Sequence, residues 1–373
     1  MTNLLVNPEA PPSPELERPV IRRTASRQSV LEASGSLAAA LAAVWVVFAL
    51  SGASLGFGYV FCSAIAFFVV YGVLSWRLHG ILLMKDRLAT VAVWSGAVVA
   101  LIALVAVVLY VVAKGGPVVF AHFPQFIVHD MTGGANGQSF GVGAAIVGTI
   151  EQVAIATVLS VPIAYLTATY MVESTSALSR AVRLVIDAMT GTPSIIAGLF
   201  IYILWVVPHG VNGKSGFVAA VTLSIMMLPV TCRAALEVIR IVPGSLREAA
   251  LALGAPQWRT VLRVVLPTAR AGLVTAAILG IARTAGETAE VLFTAGGGPH
   301  YNVNPFHGNQ DDLPLRIYEQ VFQPSSSAIS IGWGAAFVLM TVVLGLFVLA
   351  RLIGSTGSRP GRFRRRLSSG ATE

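Results

Sequence analysis

Long apolar segments alternate along most of the chain with short segments rich in glycine, proline and charged residues. Several of the apolar segments run for about twenty residues without a charge, which is long enough to cross a hydrocarbon core about 30 Å thick. Because continuous strand-like alternation is absent, we expect helices, which satisfy their own backbone hydrogen bonds. The pattern predicts an all-α polytopic protein with about eight spans, at 37–52, 57–76, 89–113, 141–172, 184–207, 216–235, 268–294 and 329–353.

The composition excludes soluble and disordered classes of protein. The chain has 373 residues, of which 55% are hydrophobic and 11% charged, and its mean hydropathy is +0.77. These values lie far outside those of a soluble domain, so a soluble enzyme and a fibre are excluded. The two cysteines, Cys62 and Cys232, lie in or beside apolar segments and indicate neither a disulfide framework nor a metal site. We expect no metal and no cofactor.

The distribution of lysine and arginine predicts how the helices are oriented. One side of the predicted membrane collects Arg77, Lys85, Arg87, Arg180, Arg183, Arg233, Arg240, Arg247, Arg259 and Arg263, with Arg362, Arg364, Arg365 and Arg366 near the C-terminus. The opposite loops hold only Lys114, Lys214 and Arg316. Because cytoplasmic loops are enriched in positive residues, we predict a multi-pass plasma (inner) membrane protein with both termini cytoplasmic. The external loops are then 114–140, 208–215 and 295–328.

The two ends of the chain differ from its apolar body. Residues 1–35 are rich in proline, serine, glutamate and arginine and too poor in apolar residues to form a core, so we predict a disordered cytoplasmic tail. Residues 356–373 are predicted to be a basic cytoplasmic tail, which is suited to anionic membrane lipid. The net charge of +8 is explained by this topology and does not indicate nucleic acid.

The most informative loop covers residues 242–267. Its pattern predicts two short helices joined by an elbow. Ser245 is expected to cap the first helix, while Glu248, three residues later, reaches back to the cap amide. Gly254 suits the left-handed position that ends a helix, and Pro267 marks the entry to the next span.

The residue identities in this loop match a known signature. Glu248, Ala249 and Ala250 are followed by Gly254 and then by a segment that ends at Pro267. The small alanine side chains leave a smooth surface against which another protein can pack closely. The pattern resembles the EAA loop of ABC importer permeases. That resemblance implies that these five residues belong to a coupling element that docks on a cytoplasmic ATPase.

Further motifs narrow the family. The segments TPSIIAGLFIY, SLREAALALG, IARTAGETA and LFTA are similar to the PstA family of phosphate-specific permease subunits, and they lie at 192–202, 245–254, 281–289 and 292–295. Residues 313–317 in the last external loop fit the same family. The resemblance covers about residues 88–355 and implies the ABC importer permease fold with a six-helix core. The transmembrane pair in 36–87 is then an N-terminal addition.

The resemblance also implies a function and its partners. The chain would form half of the translocation pathway of an ATP-driven importer of inorganic phosphate. A sister permease of PstC type would form the other wall, and an external phosphate-binding protein of PstS type would deliver the ligand. A cytoplasmic ATPase dimer of PstB type would hydrolyse ATP, so the chain itself is expected not to be an enzyme.

Two charged residues within a predicted span are candidates for substrate contact, because charges in a membrane are costly unless they are paired or hydrated. Arg283 and Glu287 are four residues apart and are predicted to share a helix face. A guanidinium presents a planar fork of donors that matches phosphate oxygens, so we predict that Arg283 binds the substrate. Glu287 either neutralises Arg283 or accepts the proton of hydrogen phosphate, which would exclude sulfate. The sequence leaves both roles open.

Two further acids fall within predicted spans. Glu290 stands where the PstA family usually has proline, so we expect a straighter helix that places another acid on the Arg283 face. Glu151 lies about a third of the way along its span. It either pairs with Arg283 or lies near the external interface.

Two other functions are compatible with the sequence. A permease for another oxyanion, such as sulfate, molybdate or phosphonate, would carry the same EAA loop, and competition for uptake separates it from a phosphate permease. A non-transporting membrane regulator would use the ATPase contact to report phosphate. Deleting such a regulator would leave uptake intact.

Overall fold

The computed structural model describes residues 27–131 and 141–355, and most of them are helical. The α-helices of this part are α1 Arg27–Ser51, α2 Phe57–Ala121, α3 Gln125–Val128, α4 Gly143–Glu173, α5 Ala177–Thr190, α6 Ser194–Ile201, α7 Val207–His209, α8 Gly216–Arg240, α9 Gly244–Ala252, α10 Gln257–Thr260, α11 Leu266–Thr284, α12 Ala289–Thr294, α13 Leu313–Val321 and α14 Ser326–Ser355. Single π-helical turns, Tyr202–Val206 and Val261–Val265, join α6 to α7 and α10 to α11. Most of the predicted N-terminal tail and all of the predicted tail 356–373 lie outside the described residues.

Six helices of the described chain are long and apolar enough to cross a membrane: Ser29–Ser51, Phe57–Ala121, Gly143–Glu173, Gly216–Arg240, Gln257–Thr284 and Ser326–Val348. The pair Ala177–Thr190 and Ser194–His209 passes the same test together, although the two helices meet at 100°. α2 has 65 residues, about 98 Å at 1.5 Å per residue, and Gly80 interrupts it with φ 79° and ψ 173°. Because α2 is about three times as long as a hydrocarbon core is thick and breaks at Gly80, it is long enough to supply two spans. The prediction of an all-helical membrane protein with about eight spans is confirmed.

Two of the predicted straight spans are broken. The segment predicted as 184–207 bends between α5 and α6, where Pro193 has extended backbone with ψ 135° and begins a new helix. The segment predicted as 268–294 stops at Thr284 and resumes as α12 at Ala289. Gly286 lies in this second break, and glycine has a low propensity for helix. Hydrophobicity alone does not show such breaks, because both sides of each break are apolar.

The N-terminal part of the chain forms a compact unit that ends at Val105. Its first helix begins at Arg27, so residues 27–35, expected to belong to a disordered tail, are helical. A polar cluster explains this longer helix: Arg87 Nη1 donates to Glu32 Oε2, and Arg87 Nη2 lies 3.4 Å from His79 Nε2. These three side chains join the start of α1 to both sides of the break in α2.

A second compact unit begins at Ala106, and its core lies among α4, α8 and α11. Small side chains let these helices approach closely. A Cβ added to Gly280 of α11 would lie 2.2 Å from Thr231 Oγ1 of α8, and one added to Gly272 would lie 2.4 Å from Val238 Cγ1. Small residues at such crossings are typical of membrane bundles.

A further apolar cluster joins α3, the start of α4, α13 and α14. Phe126 is fully buried there and packs on α14, where a Cβ added to Gly334 would lie 2.4 Å from Phe126 Cζ. Leu313 and Ile331 complete the contact. This cluster and the α4–α8–α11 core contact opposite ends of α4.

Candidate functional site

The loop 242–267 forms the predicted pair of short helices. α9 and α10 are separated by an elbow in which Gly254 has φ +81°, a left-handed conformation that favours glycine. The predicted capping box is wrong. Pro243 occupies the N-cap position without a side-chain hydrogen bond, and Ser245 is already inside the helix. Pro243 has non-helical backbone with ψ 132°, and α9 begins directly after it at Gly244, one residue before Ser245.

The outer surface of this loop is open. Glu248, Ala249 and Gly254 are exposed, Ala250 is half-buried, and α9 contains no buried residue. Pro267 is also exposed and is the second residue of α11, directly after the π-helical turn Val261–Val265. Because Pro267 has no N–H to donate to the preceding turn, a local widening of the helix is expected there.

Arg283 and Glu287 form an ion pair, with 3.5 Å between Arg283 Nε and Glu287 Oε1. They do not share a continuous helix as predicted, because α11 ends at Thr284. The chain turns instead, and the Glu287 N–H donates to the Thr284 carbonyl at 3.2 Å. The Arg283 side chain is 55% exposed and that of Glu287 is 18% exposed. A half-exposed guanidinium beside a broken span leaves N–H donors open to an anionic ligand.

Glu290 is fully buried, and neither of its carboxyl oxygens has a hydrogen-bond partner. It lies in the first turn of α12, which packs closely on α6: a Cβ added to Gly198 would lie 2.9 Å from Glu290 Cα. The expectation of a straighter helix here is wrong, because residues 285–288 separate α11 from α12. An unpaired carboxylate is very costly in such a place.

Glu151 is bound by Gln310 and not by Arg283. Gln310 Nε2 donates to Glu151 Oε2 at 2.6 Å and to the Asn302 carbonyl at 2.9 Å. Gln152 Nε2 in turn donates to Gln310 Oε1 at 3.1 Å. This amide network ties α4 to the segment before α13.

The sequence did not reveal the buried ion pair of Arg316 and Asp311. Arg316 Nε donates to Asp311 Oδ2 at 2.8 Å, and Arg316 Nη2 donates to the Gly298 carbonyl at 2.7 Å. The two side chains are only 6% and 1% exposed. Burial raises the pKa of Asp311 to about 6, and the Arg316 guanidinium opposes that rise. Arg316 and Asp311 are five residues apart, and this spacing predicts no pairing on one helix face. The sequence therefore marks Arg316 only as one of a few positive residues in the external loops.

Asp312 caps α13. Its side chain accepts a hydrogen bond from the Leu315 N–H at 2.6 Å, and Pro314 occupies the first turn. Burial raises the pKa of the Asp312 carboxyl to about 8. An aspartate shortly before a proline is a recognisable signal for the start of a helix, so this cap was within reach of the sequence.

Comparison with known proteins gives the family. Residues 160–356 match the family model of the binding-protein-dependent transport system inner membrane component. The chain is 39% identical over 290 residues to the phosphate transport system permease protein PstA 1 of Mycobacterium tuberculosis, covering 76% of this chain and 91% of that protein.

Similar relatives occur in other organisms. The phosphate transport system permease protein PstA of Mycobacterium leprae is 36% identical, with 70% of this chain and 86% of that protein covered. A probable PstA of Methanocaldococcus jannaschii is 31% identical over 272 residues, which cover 72% of this chain and 93% of that protein. The chain therefore belongs to the binding-protein-dependent transport system inner membrane components, and within them to the PstA family of permease proteins.

Proposed function

We propose that the chain forms one half of the translocation pathway of an ATP-driven phosphate importer. The observation that carries the proposal is the half-exposed Arg283 guanidinium at the break of a spanning helix, in a chain whose relatives are phosphate transport system permeases. Planar guanidinium donors match phosphate oxygens, and arginine stays protonated in a membrane.

Glu287 holds Arg283 in this proposal and sets the charge of the site. At 3.5 Å the contact between the Arg283 and Glu287 side chains is loose for an ion pair, so hydrogen phosphate can compete for the same guanidinium. Hydrogen phosphate carries a proton that Glu287 can accept in a hydrogen bond, whereas sulfate carries none. The carboxylate therefore repels sulfate and tolerates phosphate.

The loop 242–267 is the proposed contact with the ATPase. Glu248, Ala249, Ala250 and Gly254 lie on or beside an elbow whose first helix buries none of its own residues, and Pro267 follows in the first turn of α11. A surface of this kind suits a groove on a partner. The ATPase would be a dimer of PstB type on the cytoplasmic side, where both termini of this chain also lie.

Two more partners complete the importer. A sister permease of PstC type supplies the other wall of the pathway, and a phosphate-binding protein of PstS type delivers the ligand from outside. Because one permease contributes only half of the pathway, Arg283 acts together with a counterpart on the sister subunit.

Uptake of radiolabelled phosphate at micromolar concentration tests the substrate and Arg283 together. Cells carry the native chain, Arg283→Lys or the matched control Arg233→Lys, and immunoblots establish equal abundance in the membrane. Arg233 is a suitable control because its side chain is 48% exposed and is also paired, with Asp187 at 2.6 Å. Loss of charge-assisted hydrogen bonds is expected to lower the uptake rate of Arg283→Lys about tenfold, with Arg233→Lys close to native.

Sulfate serves as the competitor in the same assay. Native uptake that unlabelled sulfate does not reduce supports a phosphate pathway, and Glu287→Gln is expected to admit sulfate. Reduction of native phosphate uptake by sulfate would indicate that the chain is a permease for another oxyanion. Equal uptake by the native chain and Arg283→Lys would place the substrate contact elsewhere.

A further inference from the structure

Arg247 connects the coupling loop to two spanning helices. Its Nε donates to Glu173 Oε1 at 3.1 Å, its Nη1 to the Val242 carbonyl at 2.9 Å, and its Nη2 to the Ile239 carbonyl at 3.1 Å. The Arg247 side chain is 20% exposed and that of Glu173 is 18% exposed. One guanidinium thus makes three hydrogen bonds in a place that is largely shielded from water.

The acceptors of these bonds lie at helix ends. Glu173 is the last residue of α4, Ile239 belongs to the last turn of α8, and Val242 follows that helix. Carbonyls at the C-terminus of a helix lack partners within the helix and attract a cation through the helix dipole. Arg247 therefore joins α9 to the same end of both α4 and α8.

A second contact reaches the same point from the other half of the elbow. Gln257, the first residue of α10, donates from Nε2 to the Glu173 backbone carbonyl at 3.3 Å. Glu173 is therefore held by its carboxylate from α9 and by its carbonyl from α10. Both short helices of the loop therefore hydrogen-bond to the same residue of α4.

These polar contacts have little apolar packing to assist them. No residue of α9 is buried, and Leu246, Leu251 and Leu253 are all exposed. By contrast, α4 and α8 share a well-packed core, in which Ala168 and Met171 contact the cluster that includes Leu236 and Ile239. A close-packed pair of helices moves as one body, so displacement of its end is passed along both helices.

We propose that Arg247 and Glu173 are the positioning pair that transmits motion of the coupling loop to α4 and α8. This inference rests on the proposed coupling role of residues 242–267. Arginine suits position 247 better than lysine, because its fork reaches three acceptors in fixed directions, whereas lysine is a single point charge on a flexible chain. Neither residue needs to contact substrate or nucleotide.

The test uses the complete importer, purified with its partner subunits and reconstituted in proteoliposomes with its binding protein. Phosphate uptake and ATP hydrolysis are measured together for Arg247→Lys, Glu173→Gln and Arg247→Ala. The expected result is retention of the ATPase subunits with about a tenfold fall in phosphate taken up per ATP for Arg247→Ala. Arg247→Lys and Glu173→Gln are expected to show smaller falls in the same ratio.

Glu237→Gln is the matched control. It makes the same chemical change as Glu173→Gln and breaks the Arg240–Glu237 ion pair of 3.0 Å, which lies exposed near the same end of α8. Because that pair joins two residues of one helix, its loss is expected to leave the ratio of uptake to hydrolysis unchanged.

A Gly254→Trp variant separates failure of the inference from failure of the proposed function. If Gly254→Trp uncouples the importer and the Arg247 and Glu173 variants do not, the positioning pair is refuted while the coupling loop stands. If none of these variants changes the ratio, the coupling role of the loop fails as well. If Arg247→Lys and Glu173→Gln lose the ATPase subunits or membrane abundance at a native ratio, the pair is merely structural and the inference is overturned.

Discussion

Replacing Arg316 with methionine is expected to destabilise the protein by about 3–5 kcal/mol, because it leaves Asp311 buried without its counter-charge. The expected loss of stability is this large because both side chains of the ion pair are buried. With side chains 6% and 1% exposed, Arg316 and Asp311 have almost no water to screen or replace their interaction. The substitution removes the donor to Asp311 Oδ2 at 2.8 Å and the donor to the Gly298 carbonyl at 2.7 Å. Methionine keeps much of the side-chain volume, so little of the loss comes from a cavity.

Thermal unfolding of the purified importer in detergent measures this effect. A loss of that size is expected to lower the apparent Tm by roughly 10 °C. Arg240→Met is the matched control, since its ion pair with Glu237 lies exposed on one helix and exposed pairs contribute about 0–1 kcal/mol. A double variant, Arg316→Met with Asp311→Asn, is expected to recover part of the loss because residue 311 then carries no buried charge.

The dependence on pH has a defined sign. The pKa of Asp311 is raised from 3.8 to about 6 in the folded protein, so between these pH values the folded state holds a proton that the unfolded state has released. Stability therefore falls as pH rises through this window. Without Arg316 the pKa of Asp311 rises further, so the stability of the folded protein continues to fall up to a higher pH. The difference in Tm between native and Arg316→Met is thus expected to grow from pH 5 to pH 8.

Two results would refute this reasoning. A shift for Arg316→Met no larger than that for Arg240→Met would show that the buried pair contributes no more than a surface pair. A difference in Tm that stays constant from pH 5 to pH 8 would show that Asp311 does not carry the unpaired charge.

Further substitutions test the packing and the buried acid. Gly280→Leu is expected to lower the free energy of unfolding by at least about 1–3 kcal/mol and to lower the apparent Tm, because its Cβ would lie 2.2 Å from Thr231 Oγ1. Gly345→Leu is the control, because the space around its Cβ is open. Glu290→Gln is expected to keep native abundance in the membrane and Glu290→Lys to lose it, since the buried site accommodates a neutral group and no unpaired charge; equal abundance of the two would contradict this. Gly254→Ala is expected to cost about 1 kcal/mol in the stability of the elbow, measured by proteolysis of the loop, because φ is +81° there.

Local features of the sequence predicted the spans and the elbow at Gly254. Span length and composition depend only on consecutive residues, and the described helices begin where the predicted segments 57–76 and 216–235 begin, although both helices extend past the predicted ends. The elbow at Gly254 was predictable because a left-handed turn between two short helices needs glycine at one position. The cap of α9 was not predicted correctly, because Pro243 and not Ser245 occupies the N-cap position, which places the helix start two residues earlier than expected.

The tertiary structure decided where spans break and which charges meet. Arg283 and Glu287 pair across a turn and not along a helix, because the chain breaks at residues 285–288 and α12 packs on α6. Sequence proximity predicted the contact but not its geometry. Glu290, expected on the Arg283 face, is buried and its carboxyl oxygens have no hydrogen-bond partner.

The pairs that hold the ends of the helices join residues far apart in the chain. Arg247 binds Glu173, and Gln310 binds Glu151, across large separations in sequence. No local pattern marks such partners, because each side chain has several possible partners until the helices pack. The apolar segments along the chain therefore determined that this protein is a helical membrane protein, and its motifs carried the resemblance to permeases. The packing of distant helices decided how polar side chains connect the loop 242–267 to the spans.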